Sequence, residues 1–291
     1  MVSAADALES FVAAVDRERL GVYGVQIRVG SELASHRWRS DDRENLYSVS
    51  KGVSALAAGI AVDEGLLTLD LTVGEVFGDL PLDDGVAAVT LRHLLTMTSG
   101  IDFRWFGHQP FPQPDLAAAM LVLPSRGRVF QYSDASTYVA MRMLASVVGD
   151  VRDWLLPRLF GPLGIDNPQW HRCPLGFIVG GTGLELRTEE LARIGDLLLD
   201  RGRWADRQLV SAAFVDAMHA DWFETGREAP MDRYGIATWA GPGDAWRFEG
   251  RYGQFVIVHG DAVVTITGHE EEREDRISAL AVEVTSSAMD D

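Results

Sequence analysis

Residues 46–59 read LYSVSKGVSALAAG, and Lys51 within them is the only lysine in the chain. Every other residue among the 26 lysines and arginines is arginine. A lone lysine is either the straggler of a coding preference or a position where arginine will not serve. The second reading has a chemical basis, because arginine stays protonated at any ordinary pH whereas a buried lysine can lose its proton and act as a base. Lys51 follows Ser48 by three residues, and on a helix that spacing puts both side chains on one face. Val49, Val53, Leu56 and Ile60 recur at helical spacing, with Gly52, Ala55 and Gly59 on a second stripe that admits a close neighbour. The pattern predicts a helix from about Ser48 to Glu64.

Outward from this stretch the pattern changes twice. On the N-terminal side, GVYGVQIRVG and ELASHRW alternate apolar and polar residues about Gly30-Ser31, which predicts a hairpin preceded by an amphipathic first helix. From about Thr72 to Glu228 the signals are helical or irregular: TLRHLLTM, PDLAAAMLVL, ASTYVAMRMLASVVG, VRDWLLPRLF, TEELARIGDLLLDRG and SAAFVDAMHA, with stop signals at Gly149, Gly161 and Gly202. Strands resume with YGIATWA, AWRFEG, QFVIVHG and AVVTITGH, and a closing helix is expected at about Arg273 to Val284. A sheet begun at one end of the chain and completed at the other predicts an α/β fold. Residues 1–71 and 229–291 would form an α/β domain with an antiparallel sheet flanked by helices. Residues 72–228 would form an inserted, mostly helical domain, with the active site in the cleft between them.

Composition excludes several classes. At 291 residues with 47% hydrophobic content the chain can bury a substantial core. A net charge of −17 with scattered arginines speaks against nucleic-acid binding. No apolar run approaches the ~18 residues of a membrane span, and the first helix has neither a basic start nor an unbroken apolar stretch. A cytoplasmic protein with no membrane association is therefore expected. Cys173 is the single cysteine, which fits a reducing compartment. No G-x-S-x-G, H-E-x-x-H or Walker A pattern occurs, the seven histidines lack metal-ligand spacing, and no metal or organic cofactor is implied. His93 reads as a capping or core residue rather than a ligand.

What remains is S-x-x-K at Ser48-Val49-Ser50-Lys51. With LYSVSKGVSALAAGIAVDEGLLTLD, VTLRHLLTMTSGI, FQYSDASTYVAMRMLASVVG, GGTGLELRTEELARIGDLLLDRGRW and FEGRYGQFVIV, the chain resembles, over nearly its whole length, the serine β-lactamase-like hydrolases. The branch is that of class C β-lactamases, family VIII carboxylesterases, D-amino-acid peptidases and 6-aminohexanoate-dimer hydrolases. The resemblance implies a β-lactamase/transpeptidase-like fold and a serine hydrolase acting on a small-molecule ester, amide or peptide. Ser48 would form the acyl-enzyme, Lys51 would take its proton, and Tyr132, first in YSD, would share the acid–base work. Backbone N–H groups of Ser48 and Arg251 would form the oxyanion hole, with Gly250 allowing close approach to the strand. As a base Lys51 would need its pKa brought from ~10.4 toward neutrality, a differential of ~4 kcal/mol.

Two departures from the family pattern stand out. Asp134 replaces the asparagine of Y-x-N, and a carboxylate there would oppose the shift Lys51 requires. Phe248-Glu249-Gly250 replaces Lys-Thr-Gly or His-x-Gly, removing a group that holds a substrate carboxylate and leaving Arg251 or another arginine to substitute. A carboxylesterase or amidase, with at most weak β-lactamase activity, is thus the first expectation. A β-lactamase or D-stereospecific peptidase, and a non-catalytic binding module on the same scaffold, are the alternatives. The aromatic segment 101–116 offers Trp105, Phe106 and Phe111 either as a substrate pocket or as pins of an irregular loop, and Trp222-Phe223 carries the same choice.

Overall fold

The computed structural model describes residues 2–286. Eight strands form one antiparallel sheet: β1 (Val22–Val29), β2 (Glu32–Arg37), β3 (Phe223–Glu224), β4 (Arg233–Tyr234), β5 (Trp239–Ala240), β6 (Trp246–Gly250), β7 (Gln254–His259) and β8 (Ala262–Gly268). Their spatial order is β2-β1-β8-β7-β6-β5-β4-β3, so the first strand pairs with the last near one side of the sheet. Both faces are covered, which explains the nearly unbroken apolar runs of β7 and β8. Phe255 and Ile257 point into one core, Val256 and Val258 into the other.

Five helices of 12 to 15 residues frame the sheet: α1 (Ala4–Glu18), α2 (Val49–Asp63), α3 (Asp134–Val148), α4 (Thr188–Leu199) and α5 (Glu274–Thr285). The terminal pair, α1 and α5, closes one face around Phe11, Ile27, Phe255, Ile266 and Ile277. On the other face α2 packs on β6 and β7, with α3 against its far side. Gly52 is what permits the first contact, because a Cβ there would stand 2.4 Å from the Phe248 ring. Short helices between residues 73 and 121 pack with α3 to extend this larger core.

Three expectations change. Helix α4, assigned to the helical segment 72–228, lies across β1, β7 and β8 instead, burying Leu191, Ile194, Leu197 and Leu198 there. Amphipathic spacing reveals an apolar face but not the layer that covers it. Strand β3 also joins the sheet from before residue 229. The expected strand YGIATWA is broken into β4 and β5 by a turn in which Gly235 N donates to Thr238 O at 2.9 Å and Ala237 adopts φ 55°. In VRDWLLPRLF the α-helix covers Val151–Leu155 and widens at Pro157 into a π turn over Leu156–Phe160. His93 caps reciprocally with Thr90, its ring nitrogen accepting from Thr90 N at 3.2 Å. Among the described residues no helix is long and apolar enough to cross a membrane.

Candidate active site

Ser48 sits at the start of α2, and the backbone is bent to put it there. Tyr47 has φ 45°, an unfavourable value for a residue with a side chain. Asn45 braces this bend, its Oδ1 accepting from Tyr47 N at 2.8 Å and from Gly183 N at 3.2 Å. A serine at a helix start ordinarily caps the first turn with its hydroxyl. Ser48 makes no such bond. Its Oγ instead accepts from Lys51 Nζ at 2.8 Å, across the predicted i, i+3 spacing.

Lys51 is fully buried. Its ammonium donates to Ser48 Oγ, to Gly181 O at 2.9 Å and to Asp134 Oδ1 in an ion pair, and it lies 4.7 Å from the centre of the Tyr132 ring. Asp134 arrives as the first residue of α3, where the helix N-terminus favours a carboxylate. Its Oδ2 accepts from Gly107 N at 2.9 Å. Gly181 makes this convergence possible, since a Cβ there would come within 2.8 Å of Asp134 Cα. Burial is the largest influence on Lys51 and pushes its pKa down, but Asp134 and then Tyr132 together push harder the other way. The net direction is upward, a correction to the expected shift toward neutrality: the compensation expected of Asp134 outweighs desolvation.

Two cavities meet at Ser48. The larger, about 350 Å³, is lined by Asn45, Phe106, Gly107, His108, His171 and Thr182 together with Tyr47, Asp134, Ser48 and Arg251. The smaller, about 110 Å³, brings Tyr132, Arg227, Trp239, Glu249 and Gly250 to the other side of Ser48 and Arg251. Gly250 touches the turn before α2 so closely that a Cβ would stand 2.2 Å from Leu46 O and 3.2 Å from Val49 N. The strand edge bearing Arg251 is thereby set beside the N-terminus of α2. Tyr132 belongs to a cluster with Met97, Phe130, Tyr234 and Trp239, its ring 5.4 Å from that of Trp239.

Not every expected residue reaches the cleft. Ser48, Tyr132, Asp134, Phe106, Glu249, Gly250 and Arg251 line it, with Lys51 directly beneath. Trp105 does not: it is buried, its indole N–H donates to Pro110 O at 3.0 Å, and its ring packs 5.0 Å from Phe111. Phe248 is buried against Gly52 on the face of β6 that meets α2, so alternation along the strand gives Glu249 to the cavity. Trp222 packs against the larger core and Phe223 lies in the edge strand β3. Cys173 is buried 3.3 Å from the Tyr138 hydroxyl. Asn45, Thr182, His108, His171 and Arg227 were not expected. Asn45 belongs to a two-residue strand, Glu44–Asn45, and the others to loops; none carries a periodic signal, and only the fold brings them together. Among the described residues no cluster of histidine, cysteine and carboxylate side chains could hold a metal ion.

An alcohol at a helix start, a buried lysine beneath it and a phenol beside it, set in a cleft beside an antiparallel sheet, define the arrangement of a β-lactamase-type serine hydrolase. The Beta-lactamase family profile matches residues 6–278, and the chain belongs to that family. A lovastatin esterase from Penicillium rubens is 26% identical over 160 residues, 45% of this chain and 40% of that protein, so the match spans well under half of the relative's length. The fold is shared with a family VIII carboxylesterase at TM-score 0.75 and 15% identity, covering 97% of this chain and 96% of the other. It is also shared with a class C β-lactamase from Rhodobacter sphaeroides at TM-score 0.75 and 14% identity, covering 97% and 99%.

Proposed function

We propose that this member of the family cleaves a small ester or amide through an acyl-enzyme on Ser48, with Lys51 and Tyr132 moving the protons. The observation that carries this reading is the 2.8 Å contact between Lys51 Nζ and an Ser48 Oγ that is released from helix capping and open to the cleft. Attack forms a bond from Oγ to the acyl carbon and breaks the bond from that carbon to the leaving oxygen or nitrogen, which takes up a proton. Water then cleaves the acyl-enzyme.

Lys51 rests as an ammonium, so it must shed a proton before it can accept one from Ser48. Asp134 stabilises that ammonium and so sets the pH at which the free amine appears. Once free, the Lys51 amine takes the Ser48 proton, and Tyr132 delivers a proton to the leaving group from the smaller cavity. Backbone N–H groups of Ser48 and Arg251 stabilise the oxyanion, aided by the N-terminus of α2. Phe248 supplies no cationic group, which weighs against efficient β-lactam hydrolysis. A cytoplasmic setting is part of this reading and rests on the lone cysteine.

The test is covalent. A fluorophosphonate should label Ser48, located by peptide mass spectrometry, and the protein should turn over a short-chain nitrophenyl ester faster than a chromogenic cephalosporin. Label elsewhere, or undiminished in Lys51→Arg, would overturn the assignment.

A further inference from the structure

A strained tyrosine stands next to each of the two backbone donors assigned to the oxyanion. Among the described residues only eight besides glycine have φ in the left-handed region. Tyr47, at φ 45°, immediately precedes Ser48, and Tyr252, at φ 66°, immediately follows Arg251. Glycine would hold either conformation with less strain. The two rings meet: their centres are 5.2 Å apart with planes at 75°, the edge-to-face arrangement that aromatic pairs favour. Core packing does not account for them, because both are half-buried and neither joins a hydrophobic cluster. Each tyrosine is also anchored on its own side. Tyr47 N donates to Asn45 Oδ1 at 2.8 Å. Tyr252 N donates to Glu274 Oε1 at the start of α5, its carbonyl accepts from Glu270 N at 3.1 Å, and its ring stacks on His269 at 4.3 Å. The anchorages belong to separate parts of the fold, the short strand before α2 and the segment leading into α5.

We infer that Tyr47 and Tyr252 are positioning residues, whose ring contact fixes the spacing between the N–H groups of Ser48 and Arg251. This rests on the hydrolase reading above and adds what keeps its two oxyanion donors in register. Among the described residues neither N–H donates to a protein group, so both are free to meet an oxyanion. They come from different elements, one from the start of α2 and the other from the turn after β6. Among the described residues no backbone hydrogen bond joins residues 46–48 to residues 250–252. Contact alone therefore sets the spacing, through Gly250 against Leu46 O and through ring against ring. An oxyanion donor is effective at about 2.7–3.1 Å, so a small change in that spacing takes one of the pair out of range. The left-handed turns aim the two peptide groups. Glycine would make those turns more easily, but only a side chain can tie one turn to the other.

Exchanging the carbonyl oxygen of the substrate for sulfur reads the oxyanion donors directly, because a thiocarbonyl accepts hydrogen bonds poorly. Nitrophenyl butyrate and its thionoester are compared through released nitrophenol, and the wild type should prefer the oxygen ester in kcat by about 10²-fold. Tyr252→Gly should lower kcat for the oxygen ester by about ten-fold or more with KM little changed, while thionoester turnover stays within about two-fold. Tyr252→Phe keeps the ring and should keep the wild-type preference. Tyr47→Gly should reproduce the loss from the other side, and the double glycine variant should lose no more than the larger single loss, since all three break one contact. Circular dichroism melting identifies the folded variants. A wild type without the preference, a preference unchanged in a folded glycine variant, an equal loss in Tyr252→Phe, or additive losses would overturn the positioning pair while leaving the hydrolase intact. Absence of both turnover and fluorophosphonate label in the wild type removes the hydrolase reading and the pair with it.

Discussion

Two buried cation–carboxylate pairs stand within the same cleft, and they are built for opposite purposes. Arg247, fully buried, holds Glu249 with two nitrogens and also donates to Pro230 O, Ala240 O and Gly241 O. Every direction of its fork is engaged, and arginine does not release its proton. Burial is the larger influence on Glu249 and raises its pKa, with Arg247 opposing it only in part. Lys51 and Asp134 are equally enclosed, yet the lysine also donates to an alcohol open to the cleft, and the aspartate also accepts from a loop N–H. The first pair fixes a strand, loop and turn together. Under the proposed mechanism the second pair holds a base beside the nucleophile, a role arginine cannot fill.

Four perturbations would break or sharpen that contrast. Lys51→Met should reduce ester turnover by about 10³-fold or more, with Ser48 labelling lost in parallel. A smaller loss, measured by steady-state kinetics on a folded protein, would move the base elsewhere. Arg247→Met should destabilise the fold by about 3 kcal/mol in urea unfolding, because it leaves Glu249 and three carbonyl oxygens without their donor. A change near zero would mean the pair does not hold that region together.

Gly52→Ala drives a methyl group into the Phe248 ring between the two pairs. About 1–3 kcal/mol of destabilisation is expected, with recovery when Phe248→Leu is added; additive losses would deny the contact. The subtlest change is Asp134→Asn. The carboxylate holds Lys51 above its ordinary pKa, so its removal leaves desolvation less opposed and lowers that pKa. The free amine becomes available at lower pH, and the rising limb of the pH–rate profile should move to lower pH. An unmoved limb would show that the pair does not govern the rate.

The Ser48–Lys51 contact was legible in the sequence because it is local: an i, i+3 spacing on a helix whose apolar and small stripes were both visible. The hairpin was legible through alternation over six to eight residues, and the closing strands through short apolar runs bounded by glycine turns. The sign of the Lys51 shift was not. It depends on the balance between burial and a carboxylate 83 positions away, and both quantities exist only in the folded chain. Trp105 and Phe106 show a second limit. They are adjacent in an irregular loop, and the indole bond to Pro110 O turns one inward while the other faces the cavity. Phe248 and Glu249 stood out in the sequence as a departure, but which of the two would face the cleft depended on the register of β6 against β7.

The pairing of β1 with β8 has a consequence for biosynthesis. Val22–Val29 leaves the ribosome well before its neighbour Ala262–Gly268 has been made. At typical elongation rates that delay exceeds ten seconds. Throughout it, the first hairpin exposes an open edge and α2 lacks the strands that should cover it. Shielding of that nascent edge is therefore a demand on biosynthesis separate from the durability of the finished molecule.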